Sequence, residues 1–488
     1  MEHPSCPLPD PNFSVTLPAV LTETSVSITD YGAQADGWSP ATEAINRAIE
    51  DVHAQGGGRV VIPPGLWRTG PIVLRSRVTL HVEAGALVLF SRRFDDYPLI
   101  PTYFEGEDAV RCQSPISGEH LEDVAITGGG IFDGGGDAWR PVKKSKTTAG
   151  QWAALIRSGG VLSDDGAIWW PTEGAKQGAS VLQALRASGR QMTDLDALTS
   201  IRAFLRPNLV SLRHCRRILI DGPTFQNSPA WCLHPWQCQD VTIRHVTVRN
   251  PWYAQNGDGL DIDSCQRVYV GESTFDVGDD AICLKSGRIP QRCPPTAQVW
   301  IQHCTVFHGH GGVVIGSEMS GGVHDVYVEH CVFSGTDRGI RLKSRPGRGG
   351  AVERVTFQGI RMHDIAQEAV VIDLHYDDGA SEDGRQENLP VFRDIDIREV
   401  SVAGARFAVR IDGLEGAPVS RIRLSQVTAN THEGVRLRHA HAVTIAQSRF
   451  RVADGPWLTA DACQNVRLEE SVQEGSENPI VAPAEHRH

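Results

Sequence analysis

The sequence predicts an all-β chain wound as a single-stranded parallel β-helix, a solenoid of stacked coils, with an N-terminal capping helix and one partly helical insertion. Three observations predict it. A short strand pattern returns through the second half of the chain at intervals of about 27 or 28 residues. Each copy alternates β-branched and polar residues, with no helical periodicity between copies. The 49 glycines among 488 residues suit many short strands joined by turns.

The pattern reads RILIDGPTFQN from Arg217, DVTIRHVTVRN from Asp240, RVYVGESTFDV from Arg267 and QVWIQHCTVFH from Gln298. It continues as DVYVEHCVFSG from Asp325, RVTFQGIRMHD from Arg354, DIDIREVSVAG from Asp394 and RIRLSQVTAN from Arg421, with fainter copies from Ala442 and Asn465. The first strand residue moves through Ile218, Val241, Val268, Val299, Val326, Val355, Ile395, Ile422, Val443 and Val466. One copy cannot bury its own inward face, so neighbours must stack. Propeller blades need roughly 40–45 residues and four strands each, too long for this spacing. Coils about 4.8 Å apart fit it.

Earlier coils are less regular: RVTLHVEAGALVLF from Arg77 and DVAITGGGIFDG from Asp123. Before them the sequence predicts a helix with Ser39 as N-cap and Pro40 at its first position. Ala44, Ile45, Ala48, Ile49 and Val52 form its apolar stripe, and Gly56-Gly57-Gly58 stops it. Such a helix would cover the open end of the solenoid. Residues 139–207 break the repeat with Trp139, Trp152, Trp169, Trp170, Phe204 and helix-like runs. The expected organisation is an N-terminal extension over 1–25 and one β-helix catalytic domain over 26–488, with 139–207 as a lid flanking a groove.

A net charge of −12 argues against nucleic acid as the partner, because phosphate binding needs a basic footprint. It leaves a polyanionic substrate only a locally cationic groove. Eleven cysteines, without a C-x-x-C pair, point to free buried thiols in a reducing compartment. MEHPSCPLPDPNFSV has neither the basic nor the apolar region of a secretory signal, so a cytoplasmic location is expected. No apolar stretch approaches the ~20 residues of a membrane span.

Four polar clusters fall on consecutive coils: Asn256-Gly257-Asp258, Gly278-Asp279-Asp280, Gly309-His310-Gly311 and Arg341-Leu342-Lys343. From Asp258 to Asp280 is 22 residues, on to His310 is 30, and on to Arg341 is 31. Each cluster alone is an ordinary turn or solvated face. In order, at coil spacing and in the second half of each coil, they predict one groove. Close carboxylates raise one another's pKa, so one can serve as an acid while another remains a base. Glycosidic hydrolysis needs that equipment. Arg341 and Lys343 point to the same face of a strand, and Arg338, Arg345 and Arg348 make five cations in eleven residues, a concentration suited to an anionic sugar. Asp261, between Leu260 and Ile262, suits a supporting role outside the catalytic set, and His308 the surface.

Together the clusters resemble the motif series of glycoside hydrolase family 28, the polygalacturonases and their relatives, whose usual forms are N-T-D, Q/G-D-D, G-H-G and R-I-K. The flanks NGDGLDIDSC, VGDDAICLKSGR and TDRGIRLKS extend the likeness, and a looser similarity runs from about residue 25 to 475. The resemblance implies a right-handed parallel β-helix and hydrolysis of α-1,4-galacturonosyl linkages with inversion, without metal or cofactor. It implies Asp279 as general acid, Asp258 and Asp280 as activators of water, and His310 as support for the acid. Arg341 and Lys343 would bind a galacturonate carboxylate of a pectic oligosaccharide, with Asn256 and Tyr376 as further substrate contacts. Carboxyls on adjacent coils lie ~5 Å apart, which the separation rule assigns to retention, so inversion rests on the resemblance. Gly278 in place of Gln and the insertion lean toward exo-acting members. Rival readings are a rhamnogalacturonan or xylogalacturonan hydrolase of the same family, a Ca²⁺-dependent pectate lyase, and a non-catalytic sugar-binding β-helix.

Overall fold

The structure, a computed structural model, describes residues 13–19, 24–289, 293–376 and 388–473. Parts of the expected N-terminal extension, residues 1–12 and 20–23, lie outside the described residues, as does Cys6. The chain forms right-handed parallel β-helix coils gathered in two compact units. One comprises Thr16–Asp261 with Asp276–Asp279; the other comprises Met1–Val15, Ile262–Phe275 and Asp280–His488.

In the first unit, strands Ser25–Ser27, Gly58–Ile62, Val78–Val82, Glu122–Thr127, Arg216–Asp221 and Gln239–Arg244 follow one another in a parallel sheet. Their register stacks Val60, Leu80, Ile126, Ile220 and Ile243 in a buried column. In the second unit the register runs Val268, Val299, Val326, Val355, Ile395, Ile422, Val443 and Val466. These are the residues that open each sequence repeat. Alternate residues point inward, and stacking identical inward positions removes each coil's apolar edge from water.

The residue before each of these is left-handed: Asp123, Arg217, Asp240, Arg267, Gln298, Asp325, Arg354, Asp394 and Arg421 all have φ between 53° and 57°. The strand pairing skips them, so each turns the chain into its strand from outside the ladder. Successive coils then set opposite charges against each other. Arg217 Nε donates to Asp123 Oδ1 at 2.7 Å, Arg354 Nε to Asp325 Oδ1 at 2.7 Å, and Arg421 Nη2 to Asp394 Oδ2 at 2.8 Å.

The capping helix spans Thr42–Ala54, and its predicted stripe is buried. It packs on strands Ser25–Ser27, Gly58–Ile62, Ile72–Val73 and Val78–Val82, and Gly57 N closes its end on Val52 O at 2.9 Å. Its start differs from the sequence reading. Ser39 and Pro40 belong to the strand Asp36–Pro40, and Ala41 is the N-cap with no side-chain bond. The Ser39 N–H and hydroxyl both donate to the Asp36 carboxylate at 2.8 Å, which uses the capping group in a local turn instead.

The insertion carries helices Ala149–Arg157, Glu173–Ala187 and Leu195–Ser200, each with a Thr or Asp side chain capping its N-terminus. Trp139 and Trp152 anchor two small apolar clusters. The first of them also includes Tyr97, Val110 and Cys112. Val110 and Cys112 come from a second excursion that the sequence reading missed, the antiparallel hairpin Leu99–Phe104 and Glu107–Cys112, and Tyr97 lies just before it. Every described cysteine is a free thiol, and most are buried. No described helix is long and apolar enough to cross a membrane.

Candidate active site

In the first unit, the turn between strands Thr247–Arg249 and Leu260–Asp263 presents Asp258. Asn250 holds that turn from within: its Oδ1 accepts from Ser228 N at 2.9 Å, and its Nδ2 donates to Gly257 O at 3.0 Å. Asn256 is left-handed at φ 52°, and its Oδ1 accepts from Arg206 Nη2 at 2.7 Å. Arg206 also donates to Gln255 O at 3.0 Å and Pro229 O at 3.1 Å. The sequence reading did not single out Asn250 or Arg206, because neither lies in a recurring cluster. Asp258 is buried, and its carbonyl accepts from Cys232 N at 2.9 Å. Oxygens of the Asp258 and Asp279 carboxylates lie within 4.8 Å of one another. At that spacing one negative charge raises the other's affinity for a proton.

Asp279 is joined by a peptide bond to Asp280, the first residue of strand Asp280–Lys285 in the second unit. Lys343 Nζ lies 2.7 Å from Asp280 Oδ2, and Arg341 Nη1 lies 3.2 Å from Oδ1. Burial alone would raise the Asp280 pKa, but the Lys343 and Arg341 cations outweigh it and hold the carboxyl far below the ordinary range. Burial likewise works against charge on Lys343, and Asp280 overcomes it, so the ammonium is held above its usual pKa. Both cations face the Tyr376 ring, Lys343 Nζ at 4.9 Å and Arg341 Cζ at 5.6 Å from its centre. Tyr376 N donates to Ser344 O at 3.0 Å.

His310 lies in the turn that begins at left-handed Gly309, one residue before Gly311, which pairs in register with Asp280. Its Nε2 is 3.8 Å from Asp337 Oδ2, an acidic neighbour that the sequence reading missed. The five-cation run is largely matched by carboxylates. Arg338 Nε lies 2.9 Å from buried Glu368, and Arg341 and Lys343 share Asp280. Counting charges along the strand therefore overstates the free positive charge. Asp261 and Asp263 are fully buried, and His308 is exposed.

The first unit also contains a groove of about 830 Å³ lined by residues of the hairpin and of the coil strands, among them Tyr103, Arg111, Arg206, Asn208, Ser211 and Trp236. Tyr103 stacks on Trp236 at 4.4 Å and Phe104 on Trp231 at 4.7 Å, which docks the hairpin against the coil. Arg206 connects this groove to the Asn256–Asp258 turn.

Residues 182–444 match the glycosyl hydrolases family 28. The chain belongs to this family. It is 28% identical over 467 residues to the exo-poly-alpha-D-galacturonosidase of Dickeya chrysanthemi, covering 91% of this chain and 74% of the relative. It is also 28% identical over 424 residues to a probable polygalacturonase of Vitis vinifera, covering 83% and 74%. The solved hyperthermoactive exopolygalacturonase from Thermotoga maritima superposes with a TM-score of 0.74 at 29% identity, covering 95% of this chain and 94% of that chain.

In this family 28 glycoside hydrolase the motif glycines Gly278 and Gly257 each have a local steric cause. A Cβ on Gly278 would lie 2.4 Å from Pro251 O and 2.8 Å from Ala254 N, because the turn that leads to Asp258 crosses it. A Cβ on Gly257 would lie 2.7 Å from Ala254 Cβ. The same turn thus excludes a side chain beside each of two aspartates, Asp258 and Asp279.

Proposed function

We propose that this glycoside hydrolase cleaves α-1,4-galacturonosyl linkages of homogalacturonan or oligogalacturonides from one chain end, by inversion. Asp279 donates a proton to the glycosidic oxygen, Asp258 and Asp280 orient and deprotonate the attacking water, and His310 supports the protonated acid. Arg341 and Lys343, backed by Tyr376, receive a galacturonate carboxylate, and Asn256 contributes to binding from the Asp258 turn.

The observation that carries this reading is the contrast between neighbouring carboxyls. Asp258 and Asp279 carry carboxylate oxygens within 4.8 Å of each other, a spacing at which like charges oppose joint ionisation, whereas Asp280 is kept ionised by two cations. An acid and a base are thereby kept apart by environment. Carboxylate oxygens of Asp258 and Asp279 within 4.8 Å are closer than the separation rule expects of an inverting pair. Inversion therefore draws its support from family membership, and proton NMR of the anomer first released tests it.

Exo action draws support from the Dickeya chrysanthemi and Thermotoga maritima relatives, both named for it. The experiment is a product assay on trigalacturonate and polygalacturonate. Galacturonic acid should appear from the trimer without a sharp fall in polymer viscosity, in the presence of EDTA and without an unsaturated product. A rapid viscosity drop would overturn the exo reading. Preference for rhamnogalacturonan or xylogalacturonan oligomers would overturn the substrate.

A further inference from the structure

Four arginines line the groove of the first unit: Arg75, Arg111, Arg206 and Arg213. Two are matched by carboxylates, Arg75 Nη2 at 2.6 Å from Glu50 Oε1 and Arg213 Nη2 at 2.7 Å from Glu119 Oε2. Arg111 and Arg206 are bound differently. Arg111 donates through Nε, at 2.8 Å, and through Nη2 to the Arg206 carbonyl, and its guanidinium sits 3.5 Å from the centre of the Phe104 ring. Arg206 donates only to the carbonyls of Pro229 and Gln255 and to Asn256 Oδ1. Behind them Arg140 donates to Ser228 O and Asn227 Oδ1.

Among the described residues, no carboxylate lies within ion-pair distance of any of these three guanidinium groups. Neutral carbonyls accept their hydrogen bonds without cancelling their charge. Burial, reinforced by repulsion from Arg111 and Arg140, pushes the Arg206 pKa down to about 9, and burial brings Arg111 to about 10. The field of Glu105 reaches both Arg111 and Arg206, that of Asp258 reaches Arg206, and they only partly offset this. Uncompensated buried charge is costly unless a partner of opposite sign arrives. The exposed Asp108 also lines the groove and repels an anion there, so the attraction is concentrated on Arg111 and Arg206.

We propose that Arg111 and Arg206 form an anion subsite that takes the carboxylate of a second uronosyl residue, whose ring packs against the Tyr103–Trp236 stack. This rests on the reading of the substrate above and adds to the Arg341–Lys343 pair. A carboxylate is the matching ligand because a planar guanidinium offers it parallel donors. Because Arg206 also holds Asn256, occupancy of the subsite bears directly on the turn that carries Asp258.

The test uses the full chain with trigalacturonate. Hydrolysis by the unaltered protein is the control, and its absence overturns the reading of the activity and the subsite with it. With an active parent, Arg111→Gln should raise KM for trigalacturonate about tenfold or more while kcat changes by less than about threefold, and Arg111→Lys should recover part of the loss. A folded R111Q protein with unchanged KM overturns the subsite alone. Should R111Q not fold, a crystal of the Asp279→Asn protein with trigalacturonate decides independently. A sugar carboxylate oxygen within hydrogen-bond distance of Arg111 or Arg206 supports the proposal, and a bound trimer with none there overturns it.

Discussion

Lys343 Nζ lies 2.7 Å from Asp280 Oδ2, in a position where both groups are almost completely removed from water. A residue expected from the motif to read substrate is thus also the partner of a residue expected to activate water. On the proposed roles, binding and chemistry would share one buried ion pair.

Lys343→Gln should therefore affect more than affinity. It leaves Arg341 at 3.2 Å from Asp280, and removing one member of a buried pair costs roughly 3–5 kcal/mol. We expect a lower urea midpoint, a reduced kcat and a raised KM, with Lys343→Arg retaining more stability. An effect on KM alone would contradict the shared role.

The same pair has a pH signature. A carboxyl whose folded pKa is depressed adds stability above its unfolded pKa of about 4, and that stability is lost as pH falls toward the folded value. Glu318 behaves alike: burial would raise its pKa, but Lys285 and Arg288 hold it well below the ordinary range. Urea midpoints should thus decline progressively below about pH 4, and in Lys343→Gln, where Asp280 keeps less of its depression, that decline should be shallower from a lower starting stability.

Asp279→Asn removes the proposed acid with little change of volume. Turnover of trigalacturonate should fall by at least about 10²–10⁴-fold, while the Kd measured by calorimetry stays within a few-fold. Retained turnover would reassign the acid.

Gly278→Ala tests the crossing of the Asp258 turn over the Asp279 segment. The added methyl meets backbone at 2.4 Å, which no rotamer change relieves, so a loss of about 1–3 kcal/mol and a marked fall in kcat are expected. Gly257→Thr meets the Ala254 side chain instead, and Ala254→Gly should recover part of its loss. Equal behaviour of the two in calorimetry and kinetics would argue against this account.

Much of this is legible in the sequence. Val268, Val299 and Val326 announce a stacked column because an inward position must be apolar in every coil. Asp279 and Lys343 stand out because charged side chains recur in the second half of consecutive coils. The start of the capping helix was not legible, since Ser39 can bond either a helix N–H or Asp36, and tertiary contact selects the latter. The hairpin over Leu99–Cys112 left a signal that went unread: 46 residues separate the openings at Arg77 and Asp123, far more than one coil. Arg206 left none. Its role depends on carbonyls brought to it by folding, and backbone oxygens have no sequence signature.

The left-handed residues that open the strands carry a last implication. Asp325, Arg354, Asp394 and Arg421 alternate in sign from coil to coil, with direct bonds within the pairs Asp325–Arg354 and Asp394–Arg421. Deleting the coil that begins at Asp394 would bring Arg354 against Arg421, and duplicating one would set a residue beside its own copy. The stack has a parity: in this stretch the solenoid can change length by two coils at once far more readily than by one.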